Sequence, residues 1–146
     1  MKVAYVDSSI VVRYYLLNDP GRGEVVALLN NDEVAVVTSM LTRIECSGAL
    51  VRASRSSRVD PADALARLDQ DFADGVVTLV GTDQGDVEQQ ALHVVRTYGI
   101  CALGAIHIAT AQLVLPELLG PGDTAVFVSR DKEQAEAARK LGLTVE

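Results

Sequence analysis

The chain has 146 residues, 49% of them apolar, which is enough for one ordinary domain with a buried core and leaves no low-complexity tract. Its apolar stretches break off well short of the ~20 residues of a membrane span, and no charged, then apolar, leader opens it, so a cytoplasmic protein with no membrane contact is expected. The net charge of −7 excludes a general nucleic-acid binder that works by phosphate neutralisation alone, while suiting an acidic pocket that recruits a divalent cation, or a basic partner.

Val3-Ala4-Tyr5-Val6 is an unbroken apolar run with β-branched and aromatic content, as expected of a central parallel strand covered on both faces. Asp7 follows it directly. Read locally, Asp7, Ser8 and Ser9 are capping residues for a helix through about Leu17, which Asn18-Asp19-Pro20-Gly21 ends. A second helix covers Gly23 to Leu29, and Val34 to Thr38 repeats the buried-strand pattern. Ser39 caps a long helix from Met40 to about Ser54, whose stripe includes Leu41, Ile44, Cys46, Ala49, Leu50 and Ala53, with Glu45 beside it. Asp60-Pro61 opens another helix with Leu65, Leu68 and Phe72 on one face, and Gly75 ends it.

Val76 to Val80 reads as a third strand, and Asp83 caps a helix to about Tyr98 that closes on Gly99. A further helix runs from Ala102 to Leu115 and stops near Pro116. Thr124 to Ser129 is a fourth strand, Asp131 starts a helix through Leu141, and Leu143-Thr144-Val145 reads as a short edge strand. Strands alternating with helices specify an α/β protein: three layers, α/β/α, around a mainly parallel sheet of four to five strands, in a single domain over 1–146.

In such a sheet Asp7, Glu45 and Asp131 all fall at the carboxyl edge, where ligands bind and where acids distant in sequence can meet. Converging carboxylates repel unless a cation sits among them, and oxygen donors suit Mg²⁺ or Mn²⁺. Each acid also has a plainer local role. Glu45 can pair with Arg43 or Arg52, and Asp131 can cap its helix. His107 lies on the inward side of its helix and reads as a packed, hydrogen-bonded residue; with two histidines in the chain and no HxxxH, zinc is not expected, and His93 reads as surface. Cys46 and Cys101 lack ligand spacing and read as two reduced, buried thiols. Arg52, Arg55 and Arg58 form either a small RNA-contacting patch or the cations that favour a helix C-terminus.

Four segments in order resemble a known family: Val6-Asp7-Ser8-Ser9; Thr38-Ser39-Met40-Leu41-Thr42-Arg43-Ile44-Glu45; Leu103-Gly104-Ala105-Ile106-His107-Ile108-Ala109-Thr110-Ala111; and Val128-Ser129-Arg130-Asp131 followed by Ala135, Ala138, Leu141 and Gly142. Together they resemble PIN-domain proteins, specifically the VapC-type toxin ribonucleases of bacterial toxin–antitoxin pairs. The resemblance implies a PIN-like fold and Mg²⁺- or Mn²⁺-dependent RNA cleavage by a metal-activated water. It makes Asp7 the central metal ligand, with Glu45 and Asp131 completing the cluster and Ser8 and Ser129 positioning water or phosphate. It further implies a VapB-type antitoxin as partner and a homodimer.

One position departs from the family pattern. Where the family carries a third acid, this chain has Gly104, although every flanking residue agrees. The resemblance then implies weaker metal affinity and turnover. Gly104 marks either a natural degenerate member or a substitution that disarms a toxic nuclease, the latter favoured because Asp and Gly codons differ by one base. The rival from another class is a catalytically silent binding partner of an antitoxin or RNA. An aspartyl-phosphate protein fits poorly, because Asp7-Ser8-Ser9 lacks the second acid that a dehalogenase-like phosphatase or a receiver domain carries there.

Overall fold

A computed structural model of the protein describes residues 1–57 and 60–146. In chain order its elements are β1 (Lys2–Val6), α1 (Ser8–Tyr15), α2 (Arg22–Leu29), β2 (Val34–Thr38), α3 (Met40–Ser57), α4 (Ala62–Ala73), β3 (Thr78–Leu79), α5 (Gln84–Tyr98), α6 (Ala102–Leu118), β4 (Thr124–Val128) and α7 (Lys132–Lys140). The sheet order is β3-β2-β1-β4, with every pairing parallel, so β1 is central as its unbroken apolarity requires. Because side chains alternate along a strand, β1 feeds two cores. Val3 and Tyr5 join Val37 and Phe127 beneath α5, α6 and α7, while Ala4 and Val6 join Val36, Val126 and Val128 against Ile10, Val25, Cys46, Leu50 and Leu68. The α/β/α layering expected from the sequence is therefore present.

Several boundaries differ from the sequence reading, each for a local reason. The third strand keeps only Thr78–Leu79, because the Val76 amide bonds the Asp71 carbonyl at the end of α4 and holds the preceding residues to the helix. At the C-terminus, Val145 makes a single bridge to Phe127 in place of a strand. The first helix stops at Tyr15, since the Asp19 amide turns back to the Leu16 carbonyl. The helix α3 continues to Ser57, where the Ser54 and Ser57 hydroxyls bond back to carbonyls of the preceding turn. Pro61 takes the N-cap of α4 rather than its first helical position. Pro116 sits inside α6, which runs on to Leu118; a proline near a helix end removes one backbone bond without stopping the last turn. Cys46 is buried, but Cys101 is exposed, because it caps the N-terminus of α6 instead of facing the core.

Candidate functional site

The centre of the carboxyl edge is the Asp7 carboxylate. The end of β1 pairs with the end of β4, Val6 opposite Val128, so the residues following both strands emerge side by side. Asp7 is only 2% exposed, and three donors meet its oxygens. The Ser9 hydroxyl donates to Oδ1 at 2.6 Å, the Ile10 amide to Oδ1 at 3.3 Å, and the Ser129 hydroxyl to Oδ2 at 2.6 Å. Both serines are oriented in turn by the β4–α7 loop: the Arg130 amide donates to Ser9 Oγ at 2.9 Å and the Asp131 amide to Ser129 Oγ at 3.1 Å. A hydroxyl that accepts from a fixed amide has its own proton free to aim at the acid, so the loop presets both donors. Asp7 is thus helix cap and buried site anion at once.

Ser129, expected from the family resemblance to position water or phosphate, is in contact with the acid itself. The partner on the α1 side is Ser9, which the sequence reading treated only as a capping residue. Ser8 instead lines the neighbouring pocket, its carbonyl accepting from the Cys46 thiol at 3.8 Å. The available signal was the Asp-x-Ser spacing, which lets a hydroxyl turn back to a carboxylate two residues earlier.

Glu45, from α3, is bound by neither Arg43, which pairs with Asp69 at 2.7 Å, nor Arg52. Its Oε1 lies 2.7 Å from His107 Nε2, and His107 Nδ1 lies 3.0 Å from the Tyr5 hydroxyl. His107 is packed and hydrogen-bonded, as expected, and its partner is the predicted site acid itself. Tyr5 stacks on Phe127 with ring centroids 5.7 Å apart, and burial pushes its phenol well above the ordinary tyrosine range. Burial, with the Glu45 and Asp7 charges nearby, pushes the Cys46 thiol up to about 12. His93 is exposed, as expected.

Asp131 is exposed and caps α7, its Oδ1 accepting from the Gln134 amide at 3.1 Å. Gly104 is buried in the first turn of α6. A Cβ at that position would lie 3.1 Å from Gln134 Oε1 and 3.5 Å from Cys101 Sγ, so a side chain there would emerge between α6 and α7. Gln134 is buried and its Nε2 has no hydrogen-bond partner. Between α1, α3 and α6 opens a pocket of about 440 Å³ lined by Ser8, Ser9, Glu45, Arg52 and Leu103 among others. The Arg52 Nη1 lies 3.1 Å from where a Cβ on Gly48 would stand, so the absence of a side chain lets the guanidinium lie back along the helix. Arg55 does not line this pocket, and Arg58 lies outside the described residues.

The oxygen donors gathered here are of the type that hard divalent cations choose, but their number falls short. Both Asp7 oxygens and Glu45 Oε1 already accept hydrogen bonds, and position 104 offers no side-chain oxygen. Among the described residues no group of three or more His, Cys, Asp or Glu could hold a metal ion. The residues present therefore do not amount to a complete metal centre.

Comparison with known protein families matches residues 4–140 to the PIN domain. The chain belongs to the PIN-domain family. PIN domains are generally nucleases, and those nucleases generally use divalent metal ions. The PIN fold of the chain is shared with three solved structures. PAE2754 from Pyrobaculum aerophilum aligns with a TM-score of 0.67 at 20% identity, over 99% of this chain and 92% of that one. VapBC-1 from nontypeable Haemophilus influenzae aligns with a TM-score of 0.61 at 12% identity, over 99% and 96%. FitAcB from Neisseria gonorrhoeae aligns with a TM-score of 0.56 at 19% identity, over 97% and 95%. Comparison with curated protein sequences gives no match. Among the described residues no helix is long and apolar enough to cross a membrane.

Proposed function

We propose that this PIN domain, a single domain over 1–146, is the toxin of a type II toxin–antitoxin pair: a cytoplasmic ribonuclease of the VapC type, weakened or silenced at Gly104. The observation that carries the reading is the buried Asp7 carboxylate, preset by Ser9 and Ser129 beside the Glu45 pocket, with glycine where a further acid belongs. The names of the VapBC-1 and FitAcB structures support the toxin–antitoxin assignment by likeness of fold.

In this reading Asp7 and Glu45 supply the negative potential of the site, and Asp131 adds to it from the edge. Ser8 holds water or a phosphate oxygen, Ser129, whose proton goes to Asp7, accepts from a water, and Arg52 meets an RNA phosphate at the pocket wall, with Arg55 further along the helix. An acid at 104 would complete the oxygen donors that Mg²⁺ or Mn²⁺ requires. A basic VapB-type antitoxin segment fits an acidic pocket on a chain of net charge −7, and the toxin assembles as a homodimer.

The test is cleavage of total and transfer RNA, with Mg²⁺ or Mn²⁺, by this protein beside its Gly104→Asp version, with Asp7→Ala in the latter as control. Cleavage that appears with Gly104→Asp and disappears with Asp7→Ala supports the reading. Silence of both folded proteins overturns the ribonuclease assignment. A silent antitoxin-binding protein is the second reading, favoured by the internal satisfaction of Asp7 and Glu45, which leaves both acids stable with no ion. Antitoxin capture without cleavage by Gly104→Asp would select it.

A further inference from the structure

The chain from Tyr5 through His107 to Glu45 runs from the core to the pocket, and the reading of Asp7 above makes no use of it. We infer that His107 is a positioning residue that fixes the Glu45 carboxylate in the pocket by donating from Nε2, with the Tyr5 hydroxyl fixing the other ring nitrogen; the inference rests on that pocket being the functional one.

Three elements supply the groups: Tyr5 from β1, two residues before Asp7; His107 from α6, one turn after Gly104; and Glu45 from α3. His107 is 2% exposed, yet each ring nitrogen has a partner, Glu45 Oε1 at 2.7 Å and Tyr5 Oη at 3.0 Å. The direction of the bonds follows from donor inventory. An ionised carboxylate only accepts, so the hydrogen between His107 and Glu45 is on Nε2, and in the neutral ring Nδ1 accepts from Tyr5.

Such a partner removes much of the rotamer freedom of a long acidic side chain that lines the pocket and is 21% exposed. The same device, a buried group that orients a functional side chain from behind, is worth about 10–100-fold in affinity or activity where it supports metal ligands.

The test uses the cleavage assay in Gly104→Asp protein, with His107→Gln, His107→Asn and His107→Leu added singly. The glutamine amide nitrogen reaches about as far as Nε2, whereas the asparagine amide nitrogen reaches only as far as Nδ1. The expected result is that His107→Gln keeps activity within about threefold, while His107→Asn and His107→Leu each lose about 10–100-fold with unchanged circular dichroism. Equal activity in all three, equal loss in all three, or rescue by asparagine alone would overturn the positioning role.

A second readout does not depend on cleavage. Nitrogen-15 NMR of the unaltered protein should show the His107 Nε2 protonated, and Glu45→Leu, which removes the acceptor of that hydrogen, should move the Hε2 proton resonance upfield toward that of an unbonded N–H. An unprotonated Nε2, or no response to Glu45→Leu, overturns the inference even where Gly104→Asp cleaves RNA. If Gly104→Asp fails to cleave, the ribonuclease assignment falls, and the NMR result alone decides the His107–Glu45 geometry.

Discussion

Replacing Ser129 by alanine isolates the cradle around Asp7. The substitution removes the 2.6 Å bond to Asp7 Oδ2 and the acceptor of the Asp131 amide, in a place where Asp7 is 2% exposed and water has little access. A hydrogen bond to a charged group is worth about 1.5–3 kcal/mol, and an unmatched buried acceptor carries its own desolvation cost. Ser9 and the Ile10 amide still hold Oδ1, which limits the loss. The expected destabilisation of Ser129→Ala is about 2 kcal/mol, which for a chain of this length lowers Tm by about 4–8 °C. Urea unfolding followed by circular dichroism measures it directly. Asp7→Ala and the double variant complete a thermodynamic cycle, and because the serine acts through the acid, the two changes should couple by about 1.5–2 kcal/mol. Additive losses, or a Ser129→Ala protein within about 0.5 kcal/mol of the parent, would mean that Asp7 does not depend on the serine and that the preset-anion account is wrong.

Two further outcomes follow from the buried titratable groups. Cys46, pushed up to about 12, is thiolate to only about one part in ten thousand at pH 8 and is shielded as well, whereas Cys101 is exposed; a thiol-titrating reagent should therefore modify one cysteine in the native protein and two after denaturation. Rapid modification of both in the folded state would contradict the burial of Cys46. The phenols of Tyr5 and Tyr15 are raised, by burial first and for Tyr15 also by its bond to Asp71, so both favour the protonated form in the fold. Their contribution to stability is fully present below the unfolded value of about 10 and is lost as pH rises beyond it toward the higher folded values. Absorbance at 295 nm should show these two phenols ionising only as the chain unfolds, and ionisation of all four tyrosines near pH 10 in folded protein would refute it.

The sequence by itself determined the elements and their kind. Asp7, Asp83 and Asp131 cap the helices that follow them, Gly99 ends α5 at a φ of +66°, and the four strand segments lie where apolar runs predicted, although the third shrank to two residues. It also determined that Asp7 and Ser129 share an edge, because strands ending in polar residues within a parallel sheet can only present them together. Those features depend on interactions spanning a few residues or on simple alternation, and both are written in the local pattern.

Tertiary structure decided the partners. That Glu45 binds His107 rather than Arg43, and that Gln134 faces Gly104, depend on how α3, α6 and α7 are rotated against the sheet. The exposure of Cys101 has the same origin, since its place at the start of α6 turns it away from the core. A rotation of one residue, about 100° around a helix, exchanges one neighbour for another without altering the apolar pattern enough to notice, so the pattern alone cannot choose between them. Packing of the whole chain does.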